Sequence, residues 1–352
     1  MTVRLHIQEF LEQSKNNLVI DVRSPAEYNR AHIPGAINIP LFTDEERKIV
    51  GTTYKQQSRE QAIKVGLDFF APKMRKIVEE VEAITESGKS ETLNGNFQIF
   101  IYCWRGGMRS AAIAWLLNLY GFKVRLLAGG YKAYRNYVLK LFEEPFQFKI
   151  LGGFTGSGKT ELLNELKRHG EAIIDLEALA SHKGSAFGSI NMPPQPSQEM
   201  FENLLAKELS IVSGPSSVIW LEDESQRIGS VNIPAAIWKN MRQSPVYFLD
   251  IPFEERLQHI AEEYSKCDVD RLIDAIERIS RRLGGLETKN ASNFLQEKKF
   301  TECFSILLKY YDKHYLKALH QRENNPALLN RIHADKVDAS NAELLLSQSA
   351  LA

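Results

Sequence analysis

The chain has 352 residues, of which 43% are apolar and 25% charged, with 44 basic and 44 acidic side chains. That length suits about two domains of ~150 residues, and the composition is that of an ordinary globular protein. Zero net charge excludes a uniformly basic nucleic-acid binder but leaves room for a local basic patch. Three widely spaced cysteines, Cys103, Cys267 and Cys303, make neither a disulfide framework nor a metal cluster. A reducing cytoplasm is therefore the expected compartment. The segment MTVRLHIQEF lacks a signal-peptide apolar core, and no apolar run approaches the ~20 residues that span a bilayer. No membrane partner is expected.

Leu18 to Val22 predicts a strand, followed by a helix with Ser24 as N-cap and Pro25 in its first turn. Ala31 to Pro40 reads as a turn into a short strand. Residues 41–67 are polar and of mixed charge, an insertion read as surface loop and helix or as a partner contact. Pro72 to Glu86 predicts an amphipathic helix, and Ser87 to Asn96 a loop. Phe97 to Tyr102 predicts a buried strand, and Arg109 to Tyr120 a helix stopped by Gly121.

Between that strand and helix lies Cys103-Trp-Arg105-Gly106-Gly107-Met-Arg109-Ser110. A cysteine at a strand's carboxyl end, facing a helix N-terminus, meets free N–H groups and the positive end of a dipole. Such a site favours the nucleophilic thiolate; the plainer reading is a small buried hydrophobe. Gly106 and Gly107 are expected to let the backbone curl around an anion without a Cβ clash, while Arg105 and Arg109 add charge. From Cys103 to Lys140 there are seven basic residues and no acidic one. That concentration suits an anionic substrate or a nucleic-acid backbone, or is simply a solvated face. Val124 to Leu127 predicts a further strand and Tyr131 to Phe142 a helix.

Phe148 to Leu151 predicts a strand opening a second domain. Gly153-Phe-Thr-Gly156-Ser157-Gly158-Lys159-Thr160 then matches G-x-x-x-x-G-K-[ST] in full, and Glu161 to Arg168 continues as a helix. That context makes a phosphate-binding loop credible. Its N–H groups would cradle a di- or triphosphate with Lys159 on the terminal phosphates, and Thr160 would ligate Mg²⁺ if a metal is used. Strands then end in acids: Ala172 to Ile174 in Asp175, Ser217 to Leu221 in Glu222-Asp223-Glu224, Val246 to Leu249 in Asp250. In open α/β sheets ligands bind at these ends, so Glu222 and Asp223 are candidates for a metal-side role. His182, Lys183 and Ser185 lie in a Gly/Ser-rich segment that is either a binding loop or a connector. Arg278, Arg281 and Arg282 would clamp phosphate or face solvent. Lys309 to Arg322 mixes basic and aromatic residues, compatible with RNA stacking or with a half-buried helix.

The ordered motifs D-V-R-x-x-x-E-Y, H-I-P-G-A-x-N and the strand-end cysteine loop resemble a rhodanese domain. In such a domain Asp21, Arg23, Glu27 and His32 are more often structural than chemical. With the phosphate loop and the phrases DLEALASHKGSAFG (Asp175 to Gly188), QPSQ (Gln195 to Gln198) and EDESQRIG (Glu222 to Gly229), the chain resembles the tRNA 2-selenouridine synthase family from about Val19 to Tyr315. Lys183 departs from that pattern, where arginine is expected; the charge is kept but bidentate contact is lost.

The resemblance implies an α/β protein of two domains. Residues 1–145 would form a rhodanese-like parallel domain, and 146–352 a doubly wound P-loop NTPase-like domain with a helical C-terminal extension. It implies chemistry on wobble 2-thiouridine of tRNA, in which sulfur is geranylated from geranyl diphosphate and then exchanged for selenium from selenophosphate. Cys103 would carry or guide selenium, and Gly153 to Thr160 would hold the diphosphate. A selenophosphate-supplying enzyme is the candidate protein partner. Three other readings stay open: a C-x5-R phosphatase or sulfurtransferase on the Cys103 loop, a P-loop kinase or ATPase, and a non-enzymatic tRNA-binding or persulfide-relay module.

Overall fold

The computed structural model describes residues 2–87, 97–212, 217–320 and 328–350, with side chains left out at 318–320. It divides into two compact units, Met1–Leu141 and Phe142–Ala352. Each is built on one five-stranded parallel sheet.

In the first unit the strands are β1 (Val3–Leu5), β2 (Leu18–Asp21), β3 (Ile37–Asn38), β4 (Ile99–Tyr102) and β5 (Val124–Leu127), in the order β1-β5-β4-β2-β3. β4 is central and buried along its whole length, as expected where helices cover both faces of a parallel sheet. The Met108–Tyr120 helix follows it and turns its Ile113, Ala114, Leu116 and Leu117 into the core. Gly121, in the left-handed region at φ 114°, ends that helix.

The insertion is better ordered than its polarity suggests. It forms two helices, Asp44–Gln56 and Arg59–Phe70. Thr43 caps the first and Ser58 the second, each accepting an N–H three residues on. Phe42 and Phe70 bury into the main core at the two ends of the segment. Two apolar anchors, invisible as a periodic pattern, turn a polar stretch into packed structure. Residues 88–96, read as a loop, lie outside the described residues.

Two of this unit's ion pairs lie beside the cysteine loop. Arg23 (1% exposed) binds Asp21 (0%) through Nε and Nη2, at 2.6–3.1 Å, and also donates to the Ala31 carbonyl. The tyrosine ring of Tyr131 lies 3.9 Å from the same guanidinium. Arg109 binds Glu27 at 2.6 Å, joining the Pro25–Arg30 helix to the helix after the cysteine loop. Burial works against ionisation of Glu27, but Arg109, the Ser24 N–H and Arg47 outweigh it and hold this carboxyl below its usual range.

The second unit contains β6 (Gln147–Gly153), β7 (Ala172–Ile174), β8 (Val218–Glu222), β11 (Val246–Asp250) and β12 (Leu329–His333), ordered β12-β11-β6-β8-β7. A small antiparallel hairpin, β9 (Arg227–Ile228) and β10 (Val231–Asn232), follows β8. Trp220 and Phe248 are fully buried on the central strands. The helices Phe253–Tyr264, Val269–Leu283, Gly285–Gln296 and Phe300–His320 share a separate apolar core around Phe304, Leu307 and Cys303. β1 and β12 carry no sequence signal of their own, because each is a short edge strand held by one neighbour.

The Arg23–Asp21 and Arg109–Glu27 pairs should behave differently. Arg23→Ala strands a buried carboxylate and should destabilise the unit by ~3–5 kcal/mol, read as a lowered denaturant midpoint. Arg109→Leu, at a partly solvated pair, should cost about 1 kcal/mol or less at neutral pH. Because Glu27 titrates lower folded than unfolded, that contribution is present above the ordinary glutamate range near pH ~4.3. It is lost as pH falls through the depressed folded value. The difference between wild type and Arg109→Leu should therefore vanish in acid unfolding series.

Candidate functional site

Two constellations sit at the carboxyl ends of central strands, one in each unit, where loops leave the sheet and helix N-termini begin. In the first, β4 ends at Tyr102 and Cys103 follows, 3% exposed. Its Sγ lies 3.2 Å from the Ser110 hydroxyl on the next helix. The loop is pinned from outside: the Cys103 carbonyl accepts the Tyr131 N–H at 2.8 Å and the Trp104 carbonyl the Lys132 N–H at 3.0 Å. Arg4 of β1 donates to the Gly106 carbonyl at 3.1 Å.

This fit depends on glycine at two places. Gly106 has φ 63°, and a Cβ there would stand 2.6 Å from the Leu127 carbonyl oxygen. A Cβ on Gly130 would stand 2.2 Å from the Cys103 carbonyl oxygen and 2.4 Å from the Gly106 nitrogen. Gly107 is set differently from these two. Its φ is −97° and nothing lies within 4 Å of its Cβ position, so sterics do not require glycine there.

The arginines around the cysteine divide. Arg105 is exposed at the rim, whereas Arg109 is committed to Glu27. Asp21 and Arg23 form the buried pair described above, and His32 stacks on Tyr28 at 3.9 Å. Burial lowers the His32 pKa. These side chains shape the ground beneath the loop. The other two cysteines lie elsewhere: Cys303 is in the helical core, where burial pushes its thiol up to about 12, and Cys267 contacts Asn191.

The second constellation is the loop after β6. Gly156, Ser157, Gly158, Lys159 and Thr160 line a cavity of about 810 Å³. Lys159 Nζ donates to the Gly153 carbonyl at 3.1 Å. The Ser157 hydroxyl is buried with no partner among the described residues. An orphaned donor and a lysine resting on loop backbone both fit a phosphate-bearing ligand. Asp223 and Thr160 face the same cavity; with phosphate they fit the sparse protein ligation of Mg²⁺.

Glu177, Asp223 and Glu224 line the cavity, while the buried Glu222 does not. Glu222 Oε1 accepts the Glu177 N–H at 2.8 Å, and Oε2 is buried without a partner among the described residues. Burial, then Asp175, raises the Glu222 pKa well above the ordinary range. Burial and Glu177 do the same to Glu224. Glu177 is raised by burial, with Lys159 pulling the other way. Asp175 itself caps the Leu176–Ala180 helix through the Ala178 N–H and does not line the cavity.

The roof comes from helices, and its Tyr310, Tyr311 and Tyr315 belong to the basic aromatic stretch, facing inward on the Phe300–His320 helix. Tyr315 donates to Asp223 Oδ2 at 2.7 Å and accepts the Gly153 N–H at 3.4 Å. Arg256, 3% exposed, donates to the carbonyls of Ile251 and Thr155 and binds Asp312 through both terminal nitrogens. Trp238, Tyr264, Tyr310 and Tyr311 add aromatic walls. The Tyr311 hydroxyl accepts the Ala186 N–H at 3.3 Å, which ties the 182–188 segment to the roof.

Of the other residues singled out by sequence, Lys183, Ser185 and Arg282 line the cavity, while His182, Arg278 and Arg281 do not. Lys183 forms an ion pair with Glu263. His182 packs against Gly188, its Nδ1 buried without a partner among the described residues. Gln321 and Arg322, at the end of the basic aromatic stretch, lie outside the described residues. Arg256, Glu177 and Trp238 escaped the sequence reading, because a lone arginine, glutamate or tryptophan on a helix carries no spacing signal.

Comparison with known proteins matches this division. The profile of the rhodanese-like domain matches residues 6–137, and that of the tRNA 2-selenouridine synthase AAA domain matches 146–343. A protein named tRNA 2-selenouridine synthase from Nitrosomonas europaea is 32% identical, covering 88% of this chain and 90% of that protein. Its namesake from Bdellovibrio bacteriovorus is 33% identical over the same shares. One from Hydrogenovibrio crunogenus is 38% identical over 77% of each. With both domains matched in order and likeness running through most of its length, the chain belongs to the tRNA 2-selenouridine synthase family.

Proposed function

We propose that this tRNA-modifying enzyme replaces the sulfur of a wobble 2-thiouridine with selenium in two steps, geranylation and then exchange. Family membership supports the tRNA-modifying activity. The observation that carries the two-step reading is the presence of two unlike anion sites in one chain. One is a pinned loop around a buried cysteine; the other is a phosphate loop beneath an aromatic-walled cavity.

In the first step the thiocarbonyl sulfur attacks the allylic carbon of geranyl diphosphate, the carbon–oxygen bond breaks and diphosphate departs. Lys159 and the N–H groups of the 153–160 loop meet the charge that grows on the leaving group. The cavity, at about 810 Å³, has room beyond the diphosphate for an apolar chain against Trp238, Tyr310 and Tyr311. Mg²⁺, if bound, would sit with Thr160 and Asp223 and add charge on the diphosphate.

In the second step the selenium of selenophosphate adds at the base carbon, the carbon–sulfur bond breaks and geranyl thiolate leaves, and water then cleaves the selenium–phosphorus bond to release phosphate. Alkylation has already made the sulfur a better leaving group. Cys103 is the residue that guides selenophosphate to the base carbon, with Arg105 at the rim and the loop N–H groups stabilising charge. A cysteine phosphatase needs its C-x5-R arginine for phosphate; here Arg109 is held by Glu27, which weighs against that reading.

The two sites should separate under mutation. With 2-thiouridine tRNA, geranyl diphosphate and selenophosphate, mass spectrometry of wobble nucleosides should show both products from wild type. Lys159→Ala should lose geranylation by at least about a hundredfold, as removal of a preorganised charge at a developing anion does. Cys103→Ala should still geranylate but give no 2-selenouridine. Normal geranylation by the lysine variant would sink the assignment of the phosphate loop.

A further inference from the structure

Trp104 follows the buried cysteine directly and is 38% exposed. Its ring lies 5.7 Å from Tyr131 and 5.9 Å from the Arg23 guanidinium, both of them buried. Its carbonyl is held by the Lys132 N–H at 3.0 Å. The indole is thus anchored on a rigid base while more than a third of it stays in water.

Its neighbours say what kind of contact. Arg105, Met108 and Lys132 are also exposed. No acidic residue occurs between Cys103 and Lys140. An aromatic plane flanked by cations matches a ligand that is polyanionic along its backbone and planar in its side groups. An unpaired base of an RNA loop has that chemistry, and proteins read such bases by splaying them onto aromatic rings. Access makes the same demand. Cys103 is 3% exposed, so a base kept in its own stack cannot present its C2 edge to the thiol. It must leave the stack, and a ring adjacent to the cysteine is where it would be caught.

We propose that Trp104 is the stacking platform for the unpaired target base of the RNA, holding it over the cysteine loop, with Arg105 and Lys132 meeting the flanking phosphates. This rests on tRNA being the substrate, as argued above. An apolar loop of a protein partner is the competing occupant, and cations without a single acid on this segment favour the polyanion.

The test uses the full chain and a fluorescein-labelled anticodon stem-loop, with either 2-thiouridine or an abasic residue at the wobble position, read by anisotropy. Wild type should bind the 2-thiouridine RNA more tightly than the abasic one. Trp104→Leu keeps apolar volume against Tyr131. It should bind the 2-thiouridine RNA about tenfold more weakly and leave the abasic affinity unchanged. Trp104→Phe should restore most of the preference. A leucine variant that discriminates like wild type, or a loss equal on both RNAs, overturns the platform and points to the protein-partner alternative. In the unmodified protein, 2-aminopurine at the wobble position should be quenched on binding; unchanged emission likewise overturns it, whether or not the leucine variant folds. If wild type binds neither RNA, the tRNA reading itself fails and the platform falls with it.

Discussion

Parallel strands covered on both faces have no room for polar side chains along their length, so polar chemistry collects where the strands end. β4 shows this plainly: four buried residues, Ile99 to Tyr102, and then the cysteine loop. β6 repeats it in the second unit, with the phosphate loop beginning at its end. Each loop then enters a helix N-terminus, where free N–H groups and the helix dipole favour an anion. The same constraint brings Asp223 to the cavity that Lys159 lines, since β8 is the immediate neighbour of β6 and runs parallel to it.

Charge in both units is divided between groups that hold the scaffold and groups that face the cavity or rim. Arg23, Arg109 and Arg256 each spend their donors on carboxylates or backbone carbonyls. Their fixed guanidinium forks suit that work, because one side chain can join several elements at once. Arg256 is the fullest case, joining the 153–160 loop at Thr155 to the Phe300–His320 helix at Asp312. Arg105 and Lys159, by contrast, rest on no carboxylate ion pair among the described residues. Beneath Lys159 lie carboxyls whose burial disfavours ionisation. That arrangement limits the negative charge that would otherwise repel a phosphate ligand.

Much of this was legible from residues alone. The full G-x-x-x-x-G-K-[ST] match, the cysteine between a strand and a helix, and Ser24 before Pro25 all depend on neighbours within a few positions. Local chemistry decides them, so local reading finds them. The insertion at 41–67 was harder, because its order comes from Phe42 and Phe70 packing into a core built by distant strands. The close approach of Gly130 to the Cys103 carbonyl had no local signal either, because that residue is brought against the loop from beyond β5.

The sequence by itself determined the two α/β units, the cysteine and phosphate loops that crown them, and the family to which they belong. Each of these is encoded in short runs whose spacing follows backbone geometry. Tertiary structure alone decided which charges are committed and which face a ligand. It paired Arg109 with Glu27 across 82 positions and set Tyr315 between Gly153 and Asp223. It also raised the aromatic walls over Lys159. Such contacts join elements far apart in the chain, and no local periodicity records where a helix comes to rest.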